Sequence, residues 1–575
     1  MKKILLAATC LVAAQSLYAQ ERVGDFALLD QNGNFHQMGR YSYQDAVVLL
    51  AQGADCSSFA TTLAQYSVVD NKYAGNGFEF MMINVTGDRN RDSLLRQATQ
   101  YGTDLPLLMD ESQVVSHALG VTGIGEAVVL DPERFEVLYR GSVRGLDPAL
   151  REISQGMEVS GEAAEFTGCE IDFSTIEQFE GTAVSYSRDI APMLVEKCSN
   201  CHRDMGIAPF AMDSHLMIQG WAPMIREVVL TKRMPPGQID PHIGDTRITR
   251  HLSPEQTRKL IGWIDAGAQK DAGPDPLASV DWPDTKWPLG EPDVVVNIPP
   301  QEVPATGVME YIWVDAGFEF ERDSWVKGTD LIPGDRSVVH HILARAIPPG
   351  ASGPQIGICP SPCETGQGSN SLEERGISLP AYIPGNNARF FEENTGQFVP
   401  AGSRMVFQMH YTTNGRATTD NSEFGVYFHK AGFVPTEELQ DGGLLANDFL
   451  IPPNEGDHEV VRARVIPQDA EVISFYPHMH VRGKRMKWTA IYPDGSREAL
   501  LSVPNYDFNW QMTYHLAEPK FIPAGTTILV EGAFDNSPTN PANPDPNASV
   551  SWGDQSWEEM FIANMQMKYV DSGAP

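Results

Sequence analysis

Beyond the segment Met1–Gln20 this chain has no apolar run long enough to cross a bilayer, which takes about twenty consecutive apolar residues. No helical membrane span is expected in the mature protein. Basic residues are scarce: 42 Lys and Arg stand against 75 Asp and Glu, a net charge of −33. That excess argues against nucleic acid or an anionic membrane surface as a partner and says little about fold. Cysteine is sparse too, with seven in 575 residues. The second half lacks any long helical pattern, because prolines, glycines and asparagines interrupt its apolar runs.

What is present starts with a basic, then apolar, then small-residue order: Met1-Lys2-Lys3, Ile4 to Ala14, and Leu17-Tyr18-Ala19-Gln20. This reads as an export signal over residues 1–20, so a periplasmic or secreted protein is expected. Cys10 is a candidate lipid anchor, but the apolar stretch before it is short, and it is expected to leave with the signal. The other six cysteines then meet an oxidising compartment, where disulfides persist. Cys359-Pro-Ser-Pro-Cys363 can close a small loop, and a Cys56–Cys169 bridge is possible without being deducible.

At this length the chain should hold three or four domains. Residues 21–165 alternate short buried-type strands (Ala46 to Ala51, Phe78 to Asn84, Ala127 to Asp131) with helical stretches (Ser57 to Asn71, Arg89 to Tyr101), an α/β pattern. From Val23-Gly24-Asp25-Phe26 onward this region resembles a thioredoxin or peroxiredoxin-like domain, with Cys56 where that family's reactive cysteine follows the first core strand. It departs from the family in two places. Cys56 is followed by Ser57-Ser58-Phe59 and not by a second cysteine, and Gly125 stands where the family has a proline. Dithiol chemistry needs a resolving thiol, and none lies nearby in the sequence. A structural or docking domain is expected.

Residues 184–275 read as all-α. Tyr186 to Lys197 and Ala222 to Lys232 are amphipathic, Ser253-Pro254-Glu255-Gln256 is a capped helix start, and Gly267 is its stop. A proline- and aspartate-rich linker follows. Cys198-Ser199-Asn200-Cys201-His202 is a CxxCH motif: two thiols for thioether bonds to a haem and an adjacent imidazole for its iron. Met234, in a loop stiffened by Pro235 and Pro236, is the candidate sixth ligand, with Met205, Met212, Met217 and Met224 as rivals. The competing reading, half of a zinc site completed by Cys359 and Cys363, fits no common zinc spacing.

Short strand-like runs fill 295–435 and 440–572, which implies two antiparallel β-sandwiches. They carry His340-His341, Gln408-Met409-His410, His478-Met479-His480 and Met560 in Glu558-Glu559-Met560. Three imidazoles can serve one metal, and two imidazoles with a thioether another; that donor set suits copper cycling between Cu(I) and Cu(II). In a strand, residues i and i+2 share a face, so His478 and His480 can chelate together while Met479 points away. Adjacent His340 and His341 share an ion only where the backbone is irregular or the strand ends.

The order HH, QxH, HxH and EEM resembles the copper type II, ascorbate-dependent monooxygenases, the family of peptidylglycine α-hydroxylating and dopamine β-monooxygenases. The resemblance covers about residues 300–570 and implies two jelly-roll sandwiches with one copper each. His340, His341 and His410 would hold the electron-transfer copper. His478, His480 and Met560 would hold the catalytic, dioxygen-activating one. Gln408 and Tyr476 would support these ligands from behind. The second electron would cross a solvent-filled gap between the two. The peptidylglycine enzymes hold a peptide carboxylate with an arginine before HxH and an asparagine and tyrosine after the methionine; here those positions are Tyr476, Ile562 and Asn564. A carboxylate loses its charged partner there, which points to a neutral or apolar small molecule.

The expected protein is an exported copper-dependent monooxygenase, acting on paired donors and inserting one oxygen atom of O2 into a C–H bond. Its cofactors would be two copper ions and one covalent haem c. The haem, an ascorbate-like reductant or a redox protein would supply the electrons. The alternative is a non-catalytic electron-transfer or copper-handling protein.

Overall fold

The computed structural model describes residues 22–54, 56–160, 166, 168–179, 184–204, 206–282, 286–359, 376–383 and 389–570. The expected export signal with Cys10, Met205, and the small loop expected between Cys359 and Cys363 lie outside the described residues. Two compact units divide the chain, one built on Gln37–Phe173 and the other on Ser174 onward.

The first unit is a five-stranded sheet in the order Leu107–Met109, Phe78–Asn84, Ala46–Gln52, Glu126–Leu130, Val137–Ser142. The first three strands are parallel and the last two antiparallel to their neighbours. The central strand AVVLLAQ is buried along its whole length, as a strand covered on both faces must be. Helices Phe59–Tyr73, Arg91–Tyr101 and Leu146–Ser154 accompany it. Tyr66 from the first of these helices sets its hydroxyl 2.8 Å from the Val48 carbonyl and 2.9 Å from that of Met81. The sheet is that of a thioredoxin-like α/β domain.

The second unit opens with helices. Ala191–Lys197 follows a single wide turn at Tyr186–Ile190 and leads into the CxxCH segment. The next helix runs His215–Leu230 with Pro223 inside it; it starts seven residues before the expected Ala222, because Pro223 falls late enough that the first turns form ahead of it. The helix Pro254–Asp265 carries the expected capping box between Ser253 and Gln256. Gly267, at φ 90°, ends it with a backbone that favours glycine. The connection 237–248 leaves this helical core for the C-terminal sheets: Ile239 is buried among their residues, and Thr246 bridges Leu516.

Two pairs of larger antiparallel sheets follow, with two two-stranded ones beside them. In the first pair, one sheet orders Val294–Asn297, Glu423–Phe428, Ser324–Ile332 and Arg389–Phe390. The other orders Gly357–Cys359, Tyr311–Glu319, Arg404–Tyr411, Val339–Ile347 and Ile377–Tyr382. One core built on Val326, Phe424, Ile342, Phe407 and Met409 lies between them. The proline-rich linker therefore ends sooner than its composition suggests, since Val294–Asn297 is already paired with Glu423–Phe428. In the second pair, Phe561–Tyr569, Ala470–His478 and Tyr514–Ile522 face His458–Val465, Thr527–Phe534, Gly483–Ile491 and Arg497–Val503 across Phe475, Trp488 and Phe534.

Asp330 in the strand Ser324–Ile332 is buried, and its Oδ2 has no hydrogen-bond partner among the described residues. Burial raises its carboxyl to about 6, against the opposing pull of Arg336. The folded state thus holds a proton that the unfolded state releases near pH 4, so this residue makes stability fall as pH rises from about 4 to 6. Asp330→Asn is expected to remove that slope, worth about 2–3 kcal/mol at pH 7, as read from denaturant midpoints across the window.

Candidate metal centres

The first centre forms around a break in register. The strand Val339–Ile347 pairs with Arg404–Tyr411 as Val339↔Tyr411 and then His341↔His410, which leaves His340 as the extra residue of a bulge. A regular strand would send neighbours to opposite faces, and the bulge turns both imidazoles to one side. Nδ1 of His341 lies 3.3 Å from Nδ1 of His340 and 3.3 Å from Nδ1 of His410. Nitrogens about 2.0–2.1 Å from one ion at tetrahedral angles stand roughly 3.3–3.4 Å apart, so the spacing fits a shared metal.

All three side chains are buried. Burial holds His340 down to about 4, with repulsion from His478 adding to it, and pushes His341 and His410 well below the ordinary imidazole range. Each is neutral at neutral pH, the form that ligates. The Tyr311 ring lies 4.5 Å from that of His410 and 5.4 Å from that of His341. Gln408 is buried two residues before His410.

The second centre lies at the end of the strand Ala470–His478. His478 closes the strand, His480 stands in the turn after it, and their ring centroids are 5.3 Å apart. The Nδ1–H of His478 donates to Gln511 Oε1 at 2.8 Å, and that of His480 to the Glu558 carbonyl at 3.1 Å. With Nδ1 spoken for in both rings, Nε2 is the nitrogen each offers a ligand. Burial lowers His478 to about 4 and His480 to about 3. Met479 points the other way, into the sandwich core, its backbone held on both sides by the Tyr506 hydroxyl.

Met560 is buried just before the strand Phe561–Tyr569. That strand pairs with Ala470–His478 as Tyr476↔Asn564, Pro477↔Ala563 and His478↔Ile562, and Met560 is two residues before the last of these pairs. Glu559 fastens the two segments, its carboxylate accepting the backbone N–H of His480 at 2.8 Å and of Arg482 at 2.6 Å. Burial raises Glu559 to about 8 against these donors and the charge of Arg482. The Tyr476 hydroxyl lies 3.3 Å from Gln511 Oε1 and 3.5 Å from His478 Nδ1.

Phe508 lies in the loop before Gln511. Its ring stacks on His340 with centroids 4.5 Å apart and an interplanar angle of 18°, and meets His480 edge-on at 5.9 Å. The ring thus touches one imidazole of each centre. Phe508 and Gln511 carry no ligand chemistry of their own, so nothing in the sequence marks them; Glu559 was visible only as part of the EEM run.

Around the CxxCH motif, Cys198 and Cys201 are free thiols, each raised by burial, Cys198 to about 12. The His202 Nδ1–H donates to the Phe210 carbonyl at 3.1 Å, and the Phe210 ring packs on the imidazole at 4.6 Å, so Nε2 is the nitrogen left for a ligand. Arg250, Arg203 and Arg336 all lower the Cys201 thiol electrostatically. Of the candidate methionines, Met212 is buried, Met217 and Met224 are exposed on the helix His215–Leu230, and Met234 is half-buried in the loop beyond it.

In the first unit Cys56 is bonded to Cys169, across 113 residues of sequence. The two-residue ladder of Gly123–Ile124 with Cys169–Glu170 brings the second cysteine in. The Cys56–Cys169 bridge that the sequence left possible is thus formed: the partner is remote in sequence and adjacent in space.

Residues 19–144 match the family model described as AhpC/TSA family. Solved structures similar to this chain include a hypothetical protein from Sinorhizobium meliloti 1021 (21% identity, 27% of this chain and 94% of that one, TM-score 0.24). Others are a putative thiol:disulfide interchange protein DsbE from Chlorobium tepidum (17%, 24% and 99%, TM-score 0.22) and the pneumococcal exposed lipoprotein thioredoxin from Streptococcus pneumoniae (18%, 23% and 99%, TM-score 0.20). No curated protein matches the chain. Among the described residues no helix is long and apolar enough to cross a membrane.

Proposed function

We propose that this protein is an exported dicopper monooxygenase that hydroxylates a C–H bond of a small neutral or apolar molecule, with a covalent haem c in the same chain as its electron entry. The observation that carries the reading is the pair of buried histidine sets. Three Nδ1 atoms converge at a bulge, and two imidazoles with Nε2 available face the Met560 segment. Copper or iron storage needs no such pair of unlike sites on facing sandwiches. On this reading the two sandwiches are the jelly-roll copper domains, and the helical region is an all-α cytochrome c domain.

Copper held there would supply one-electron chemistry with O2, and the thioether of Met560 would favour Cu(I). The chain's own residues set the geometry. Gln511 fixes the tautomer and orientation of His478, and Glu559 holds the turn that carries His480. Tyr476 and Ile562 stand where a substrate carboxylate would need a cation. Haem would be held by Cys198, Cys201 and His202, with Arg203, Arg250 and Arg336 placed to receive its carboxylates. Met234, half-buried in the loop beyond the helix His215–Leu230, would be the methionine that completes the ligand set.

The test is metal stoichiometry on protein matured where haem is attached. One iron and two coppers are expected, with His340→Ala and Met560→Ala each weakening a different copper; one copper or none moves the weight to an electron-transfer or copper-handling protein. Gln511→Leu is expected to weaken copper at the second centre by roughly 10–100-fold while leaving the first unchanged, measured by competition with a chelator of known affinity.

A further inference from the structure

Resting on the two-copper reading, we propose that Phe508 is a positioning residue that clasps the two metal centres together, so that they exchange an electron directly across one aromatic ring. The loop that carries it serves both centres at once. Phe508 stacks on His340 of the first, and three residues on, Gln511 bonds His478 of the second. Phe508 also reaches His410 at 6.3 Å and His480 at 5.9 Å. Its contacts with His340 and His480 bound the separation of those two imidazole centres at about 10 Å.

The loop is anchored in the second sandwich. The Tyr506 hydroxyl accepts the N–H of Met479 at 3.1 Å and donates to its carbonyl at 2.7 Å, and Gln511 is buried. Phe508 itself is half-buried and packs on the core of that sandwich. Its ring is thus a rigid extension of the second centre, laid flat on a ligand of the first. With copper bound at both centres, the exchange would move one electron from Cu(I) held by His340, His341 and His410 to Cu(II) held by His478 and His480. No atom or proton is transferred.

The experiment is electron paramagnetic resonance of the full chain loaded with Cu(II) and assayed for copper content. It is recorded at liquid-nitrogen temperature, with the singly loaded His341→Ala protein as the uncoupled reference. Wild type with two coppers is expected to show dipolar-broadened lines. Phe508→Ala with two coppers is expected to lose most of that broadening, and Phe508→Tyr, which keeps the ring, to retain it. Phe508→Leu repeats the measurement should the alanine variant fail to fold. Two bound coppers without coupling in wild type, or coupling unchanged by loss of the ring, overturns the clasp and leaves the two-copper reading standing. Fewer than two coppers in wild type overturns both.

Discussion

Deleting His340 is expected to leave the first sandwich folded and to abolish tight metal binding at its centre. In the native ladder Val339 faces Tyr411 and His341 faces His410, so the chain carries one residue more on this strand than on its partner. Removing the extra residue makes the ladder regular, and downstream pairs such as Ala344↔Phe407 keep their partners. The deletion therefore costs far less stability than a register slip would. It takes away one of three ligands and the geometry that lets neighbours share an ion. Since losing outer supports alone costs about 10–100-fold in metal affinity, the loss here should be at least about a hundredfold. Copper titration followed by circular dichroism separates the two effects: an unfolded deletion variant, or one that binds as wild type does, refutes the role given to the bulge.

Arg482→Met is expected to destabilise the second sandwich by roughly 2–3 kcal/mol. The guanidinium is fully buried. It donates to Asn536 Oδ1 at 2.8 Å, to the Trp557 carbonyl at 2.8 Å and to that of Asp545 at 3.4 Å. Its charge also pulls down the Glu559 carboxyl, which burial nonetheless raises to about 8 and so keeps protonated at neutral pH. Methionine fills similar space but leaves the Trp557 carbonyl without this donor and Asn536 Oδ1 and the Asp545 carbonyl with one donor fewer, and an orphaned buried group costs more than a hydrogen bond contributes. The damage should reach the second centre, because Trp557, Glu559 and Met560 belong to one short segment. Denaturant unfolding at neutral pH measures the loss, and because Glu559 is already protonated there, adding Glu559→Gln should change it little. Wild-type stability in Arg482→Met would mean that water or local rearrangement already serves these acceptors.

Local patterns were legible where local chemistry decides the outcome. The Ser253–Gln256 capping box and the stop at Gly267 depend on a few neighbouring residues, and the structure has both. The alternation around His478-Met479-His480 gave the correct split, with the histidines on one side and Met479 in the core, because strand geometry has a period of two. The HH pair exposed its own difficulty: adjacent ligands require an irregular backbone, and the bulge is that irregularity. The AhpC/TSA-like segment was readable for the same reason, as short buried strands alternating with helices.

Other features had no local signature. Pairing Cys56 with Cys169 depends on a two-residue ladder that closes only once the sheet of the first unit is formed. Phe508 and Gln511 look like ordinary loop residues, and their position between or behind histidines follows from how two sandwiches and a loop pack. The burial that keeps His341, His410, His478 and His480 neutral comes from side chains far apart in the chain. Sequence alone determined which donor atoms this protein has and their alternation along each strand, since composition and backbone period are local properties. Tertiary structure alone decided which donors converge, which ring nitrogen each presents and what lies between the two centres, since those depend on contacts among segments up to a few hundred residues apart.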